Sequence, residues 1–406
     1  MKKIGLVILG IGVLIGSIYL LTKQDNSKIL IKEQVKQENT SLVFMLQDKE
    51  GNYNKSEELP SSGYSLNTSK SVCSNNTIPT WEDNKLYLNN LSKNGTSCYL
   101  YFDTIKKVNT ILGEIEVNIG EPDFSQVATT DEGIYEAEDD WGESYYFRGA
   151  VENNWLKFAG YYWRIIRING DGSIRMIYQG TNANTTGTEP QLQTSAFNLS
   201  YNLSEYVGYM YTSGQVHGLE TSSTVKELLD TWYSSNLVSY ADKISAEAGF
   251  CGDREPSTSS SISNGQGGTG TTQTYYGGYI RLITNKSPDL KCENSSDLYT
   301  VSGSSKGNKA LTNLIGLITA DEVAMAGGVY GTTNESYYLY TGQTYWTMSP
   351  CNFPNADVFF VSSNGNLRWD YVADTIGIRP VINLASDVIL SGTGTASDPY
   401  IVEGAE

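Results

Sequence analysis

The sequence predicts an α+β chain in three parts: an apolar N-terminal transmembrane helix, a small all-β domain, and a larger irregular α+β domain. Three observations predict it. The run "IGLVILGIGVLIGSIYLLT", residues 4–22, carries no charge and follows Lys2 and Lys3. Short apolar runs alternate with Gly, Asn and Ser turns in a chain holding 29 Tyr, 7 Trp and 40 Gly, a composition that favours strands. Two segments carry helix-start signals with an apolar stripe behind them.

The first element is the 4–22 run. At about 1.5 Å per residue its 19 residues nearly match a bilayer core of about 30 Å. The lysines in front place that end in the cytoplasm and the bulk outside. The expectation is a single-pass signal-anchor over 1–22. A cleaved signal peptide is the rival reading, though no clear A-x-A site follows the run. Residues 23–40 then read as a polar stalk.

Residues 41–103 read as the small β domain. "SLVFMLQD" and "CYLYFD" are strand-like, and Asn94-Gly95 is a hairpin signal. Residues 104–144 read as an acidic linker. The stretch 108–147 has eleven carboxylates and no Lys or Arg. Its spacing matches no EF-hand loop, so it reads as solvated chain rather than as a calcium site.

From 145 to 403 the pattern is denser. "YYWRIIRI" and "SIRMIY" flank Asn169-Gly170-Asp171-Gly172, a hairpin turn. Arg164, Arg167 and Arg175 are strand arginines whose heads reach solvent or a carboxylate. Thr224 with Glu227, and Thr319 with Glu322, form capping boxes. Residues 256–274 are too rich in Ser, Thr and Gly to bury a core and read as a long exposed loop. "DVFFVSSNGNLRWDYV" is a hairpin around Asn364-Gly365, and "GIRPVINL" is a buried strand.

Charge and cysteine usage bound the function. A net charge of −17 argues against nucleic acid, which a basic face would serve. Outside the cytosol the five cysteines can be oxidised. The simplest pairing is local: Cys73 with Cys98 and Cys251 with Cys292. That leaves Cys351, in "YWTMSPCNF", as a free, partly buried thiol acting as a small hydrophobe, or as half of an intermolecular bridge. One His, His217, removes multi-histidine metal sites and HExxH. Gly303-Ser304-Ser305-Lys306-Gly307 fits G-x-S-x-G, but no histidine follows it. No catalytic residue, metal or cofactor is assigned.

"YYFRGAVENNWLKFAGYYWRIIRINGDGSIRMIY", "GFCGDR", "IGLITADEVAMAGG", "YWTMSP" and "GIRPVINL" resemble the signatures of uncharacterised membrane-anchored surface proteins of low-GC Gram-positive gut bacteria. The C-terminal module is also distantly similar to the C-type-lectin-like, sulfatase-modifying-factor fold, in which a late hairpin and a G-[FVI]-R strand close the domain. Gly377, Ile378 and Arg379 match that strand. The resemblance implies an irregular α+β head. The formylglycine-generating enzymes of that fold hold copper with a cysteine pair, and here only Cys351 stands in that region.

The resulting expectation is a cell-surface binding or adhesion protein. It is membrane-tethered through residues 4–22, and its head recognises an unknown extracellular protein or glycan without catalysis. A glycan- or cell-wall-acting enzyme using a carboxylate pair, and a structural surface protein, are the alternatives. The candidate ligand-binding residues lie in the aromatic closing region: Tyr345, Trp346, Asn352, Phe353, Asn355, Trp369 and Tyr371. On "LRWDYV", Leu367, Trp369 and Tyr371 share one face and Arg368, Asp370 and Val372 the other.

Overall fold

The computed structural model describes residues 18–22, 28–34, 40–48, 51–60, 63–82, 84–92, 95–258 and 267–406. Residues 4–17 of the apolar run, much of the 23–40 stalk, Asn94 of the predicted hairpin and residues 259–266 of the long loop lie outside them. Among the described residues no helix is long and apolar enough to cross a membrane. Ile18–Thr22 and Lys28–Gln34 pair as antiparallel strands.

The predicted α+β class is corrected: the chain is mostly β, with 39% strand against 12% helix, in large sheets. The helix signals mark short elements, Thr224–Asn236 and Ala320–Met325, and most of the rest pairs as strands. The stretch 104–144 is also corrected. It is not a bare linker: it contains the end of the Thr96–Thr110 strand, then Gly113–Asn118 and Asp131–Asp139. Its carboxylates sit largely on exposed positions of these strands, so their charge hid the β periodicity.

The chain forms two compact units, residues 1–108 with 116–121, and residues 109–115 with 122–406. In the first, Thr40–Gln47 runs parallel to Thr96–Thr110, with Leu42 opposite Cys98 and Phe44 opposite Leu100. Alternation turns Leu42 and Phe44 inward with Leu100 and Phe102, where they pack with Leu86 and Leu88. Cys73 is the register partner of Cys98 on the other side of that strand, and the two form a disulfide.

In the second unit, the Tyr161–Ile168 strand is central. It pairs with Trp155–Phe158, Gly142–Gly149 and Ile174–Gly180, and Ile174–Gly180 continues to Val381–Leu384. The Asn169–Gly172 turn joins two of these strands as the sequence predicts. A second sheet runs Thr194–Ser195, Ile376–Gly377, Tyr345–Phe353, Asp357–Val361, Leu367–Tyr371. Its last hairpin turns at Gly365, with φ +78°, where a Cβ would stand 1.8 Å from the Asn334 carbonyl oxygen. Only glycine fits there. Cys251 and Cys292 form the second disulfide.

One ionic cluster ties helix to sheet. Thr319 caps Ala320–Met325, and Glu322 completes the capping box, its Oε2 accepting from Thr319 N at 2.9 Å. The same carboxylate is buried against two strand arginines. Arg167 Nε donates to Oε1 at 3.0 Å and Arg175 Nη2 to Oε2 at 3.1 Å. Arg167 also binds Asp139. Burial alone would raise the Glu322 carboxyl, but Arg175 and Arg167 outweigh it and hold it below the usual range. Removing one member of such a buried cluster strands the others. Glu322→Gln should therefore destabilise the second unit by about 3–5 kcal/mol in a denaturant melt. A change under about 1 kcal/mol would show that the cluster is not the tie described.

Candidate functional site

The structure separates the seven sequence-predicted site residues. Tyr345, Trp346, Asn352 and Phe353 are buried and form core, not surface. Their strand lies inside the sheet; the Tyr345 hydroxyl donates to Leu339 O at 2.9 Å and Trp346 Nε1 to Ser195 O at 3.0 Å. Asn355 is half-buried in the following turn. Trp369 and Tyr371 lie on the edge strand and stay 37% and 38% exposed. Tyr371 stacks on Tyr201, centroids 5.4 Å apart, and Trp369 Nε1 donates to the Tyr330 hydroxyl at 3.0 Å. Strand order decides the split, because a central strand is covered on both sides and an edge strand is not. Cys351 is a fully buried free thiol, and burial pushes its pKa well up.

The arginines lead to a different place. Six are buried among the described residues: Arg148, Arg164, Arg167, Arg175, Arg254 and Arg379. Four of them face a carboxylate: Glu132 for Arg148, Glu322 for Arg167 and Arg175, Asp297 for Arg254. Arg379, of the predicted G-I-R strand, has none. Its guanidinium instead makes four hydrogen bonds, to Tyr178 O twice, Leu339 O and Gln179 Oε1. That settles it as a structural residue.

Arg164 meets no carboxylate and has only two bonds of the kind that hold Arg379. Its Nε donates to Asn154 Oδ1 and its Nη2 to Val151 O, both at 2.7 Å. A guanidinium has five N–H groups, so three remain without a protein acceptor. Arg164 is the cross-strand partner of Trp155, and its Cζ lies 4.1 Å from that ring's centroid and 5.3 Å from that of Tyr338. The ladder shifts register between Ile165 and Arg167, so Arg164 and Arg167 stand opposite Ile177 and Arg175, two positions on one face of the neighbouring strand. Burial lowers the Arg164 pKa to about 9, with Tyr338 opposing, which leaves it charged at neutral pH.

Arg164 and Tyr338 line a groove of about 770 Å³ together with Trp155, Gln179 and Tyr340. That volume lies within the range of about 300–1,000 Å³ typical of small-molecule sites. The exposed side chains of Glu152, Asn184, Glu335 and Ser397 also line it. The Tyr338 hydroxyl is buried with no partner. Buried polar groups are normally satisfied, so a cation and a hydroxyl both left over beside one groove are unusual. Sequence reading singled out Arg164 but expected its head to reach solvent or a carboxylate. Tyr338 carried no signal, because nothing local says that its hydroxyl has no mate.

Two other charged clusters are internal. Arg281 bridges Asp253 and Asp321, at 2.6 Å and 2.9 Å, beside a cavity of about 20 Å³, room for one or two waters. His217 Nε2 lies 3.0 Å from Glu255 and its Nδ1 3.5 Å from Asp297; the Asp297 carboxylate raises its pKa against burial. Among the described residues no group of three or more His, Cys, Asp or Glu is placed to hold a metal ion.

Two predictions concern the edge hairpin. Trp369→Ala with Tyr371→Ala removes one stacked pair and one hydrogen bond from a partly exposed strand, so it should cost about 1–3 kcal/mol. A thermal melt showing the second unit unfolded would overturn the edge assignment. Across the hairpin, Asp357 has a buried oxygen without a partner, and burial, then Asp370 and Asp374, push its pKa up to about 7. Between about pH 4 and 7 the folded chain keeps a proton that the unfolded chain releases, so this group's contribution falls as pH rises through that window. Asp357→Asn should accordingly raise the melting temperature at pH 8 and leave it unchanged at pH 4. An equal shift at both pH values would contradict the assignment.

Comparison with protein-family models, with curated proteins and with solved structures finds no match to this chain.

Proposed function

We propose that the second unit is the recognition module of an exported surface protein, and that its groove binds a glycan. The groove at Trp155, Arg164 and Tyr338 carries this reading. Its floor is aromatic and its rim is rich in amide, hydroxyl and carboxylate groups, which suits a ligand with apolar faces and a polar edge. The two disulfides are consistent with an oxidising, extracellular setting. The motif resemblance to membrane-anchored surface proteins supports tethering through the 4–22 run.

Glu152 and Glu335 both line the groove. That favours, as a second reading, cleavage of a glycosidic bond by a carboxylate pair. Product release from a bound oligosaccharide, abolished by Glu335→Gln, would carry that reading.

The binding reading is tested by filling the groove from its exposed rim. Ser397→Trp with Glu335→Trp should leave the melting temperature within about 2 °C, since substitutions of exposed residues usually change stability by under about 0.5 kcal/mol. The same variant should lose at least tenfold in affinity for whatever the full-length chain captures on a glycan array. Retention of full affinity would place the ligand elsewhere.

A further inference from the structure

We infer that the groove selects acidic sugars, with Arg164 as the residue that receives a ligand carboxylate on a pyranose ring. The inference rests on the glycan-binding reading and names its ligand class. A cation in a protein interior is expensive unless it is matched. Of the other five buried arginines, four pair with carboxylates, and Arg379 makes four hydrogen bonds to carbonyl and amide oxygens. Arg164 alone keeps three N–H groups without an acceptor while lining a groove large enough for a ligand.

Its orientation is set in advance. Asn154 is itself held, its Nδ2 donating to Ile165 O at 2.8 Å, and it fixes Arg164 Nε. Val151 O fixes Nη2, and the Trp155 ring packs against the guanidinium plane. A guanidinium with locked position and spare N–H groups suits a planar carboxylate, which can take two parallel hydrogen bonds. Trp155 and Tyr338 flank the same cation and offer ring faces, to which the C–H face of a pyranose is matched. A neutral sugar hydroxyl would leave the charge of Arg164 uncompensated. Glu152 lines the same groove and acts on Arg164 through its charge, with no ion pair between the two among the described residues.

The test uses the full-length chain and matched probes. Sialyllactose is compared with lactose, and a glucuronic-acid-terminated oligosaccharide with its methyl ester, by calorimetry. These arms also distinguish a sialic acid from a uronic acid as the source of the carboxylate. The expected result is at least tenfold tighter binding of one acid than of its neutral partner, abolished in the Ser397→Trp, Glu335→Trp variant. Arg164→Lys keeps the charge but not the fork, and should reduce the preference at least fivefold. Because Arg164 is buried, the wild-type comparison of acid with ester stands even if that variant fails to fold. Equal affinity for acid and neutral partner, with both blocked by the filled groove, overturns the acid preference and leaves glycan binding intact. Absence of binding by all four probes and by a wider glycan panel overturns both. Preference for a carboxyl-terminal peptide over every sugar overturns the sugar assignment.

Discussion

The second unit depends on the contact of one carboxylate, Glu322, with two strand arginines and the start of its own helix. The capping box is a local device worth about 1 kcal/mol in an exposed helix. Here the same side chain is also the counter-ion for Arg167 and Arg175, which lie on adjacent strands joined by the Asn169–Gly172 turn. A six-residue helix has little stability of its own. Its position is set because displacing it would leave Arg175 without an anion and Arg167 with Asp139 alone.

The same rule separates structure from site. Buried arginines are tolerated when their N–H groups are filled, and the chain fills them in two ways. Carboxylates serve Arg148, Arg167, Arg175 and Arg254, and carbonyl and amide oxygens serve Arg379. Both solutions meet the cation inside the fold, Arg175 Nε and Arg254 Nη2 through ion pairs rather than hydrogen bonds. Arg164 uses the second way only in part, with two hydrogen bonds that fix its Nε and Nη2. A rigid residue with unused bonding capacity is a different object from a mobile surface arginine, because little ordering entropy remains to be lost when it binds.

Local chemistry was legible in the sequence, and long-range partnership was not. The turns at Asn169–Gly172 and Asn364-Gly365 carry their own conformational signals, and both hairpins form there. The Thr319 box forms as expected, whereas the first helix is capped by Ser223, one residue before the expected Thr224. The regional cysteine pairs are both joined. The dominance of β structure was hidden where carboxylates occupy the exposed positions, as in Asp131–Asp139. The aromatic closing region misled for another reason. Tyr345 and Trp369 look alike in composition, but one lies inside the sheet and the other on its edge, and strand order is not written in either segment. Arg164 is the sharpest case. Its type and strand position are visible, but whether it meets an acid depends on chain about 170 residues away, around Tyr338.

The acidity of the whole chain bears on how such a site would work. A net charge of −17 repels an anionic ligand at long range, so electrostatic steering cannot speed its arrival. The attraction from Arg164 acts only at contact, inside a groove where low dielectric strengthens it. Selectivity for an acid must then reside in slow departure rather than fast capture. Added salt screens the long-range repulsion between exposed charges more than it screens a buried contact. On the proposed reading, the groove would suit ligands held in place by many neighbours, such as the sugars of a dense glycan layer, where local concentration is high and residence time decides the outcome.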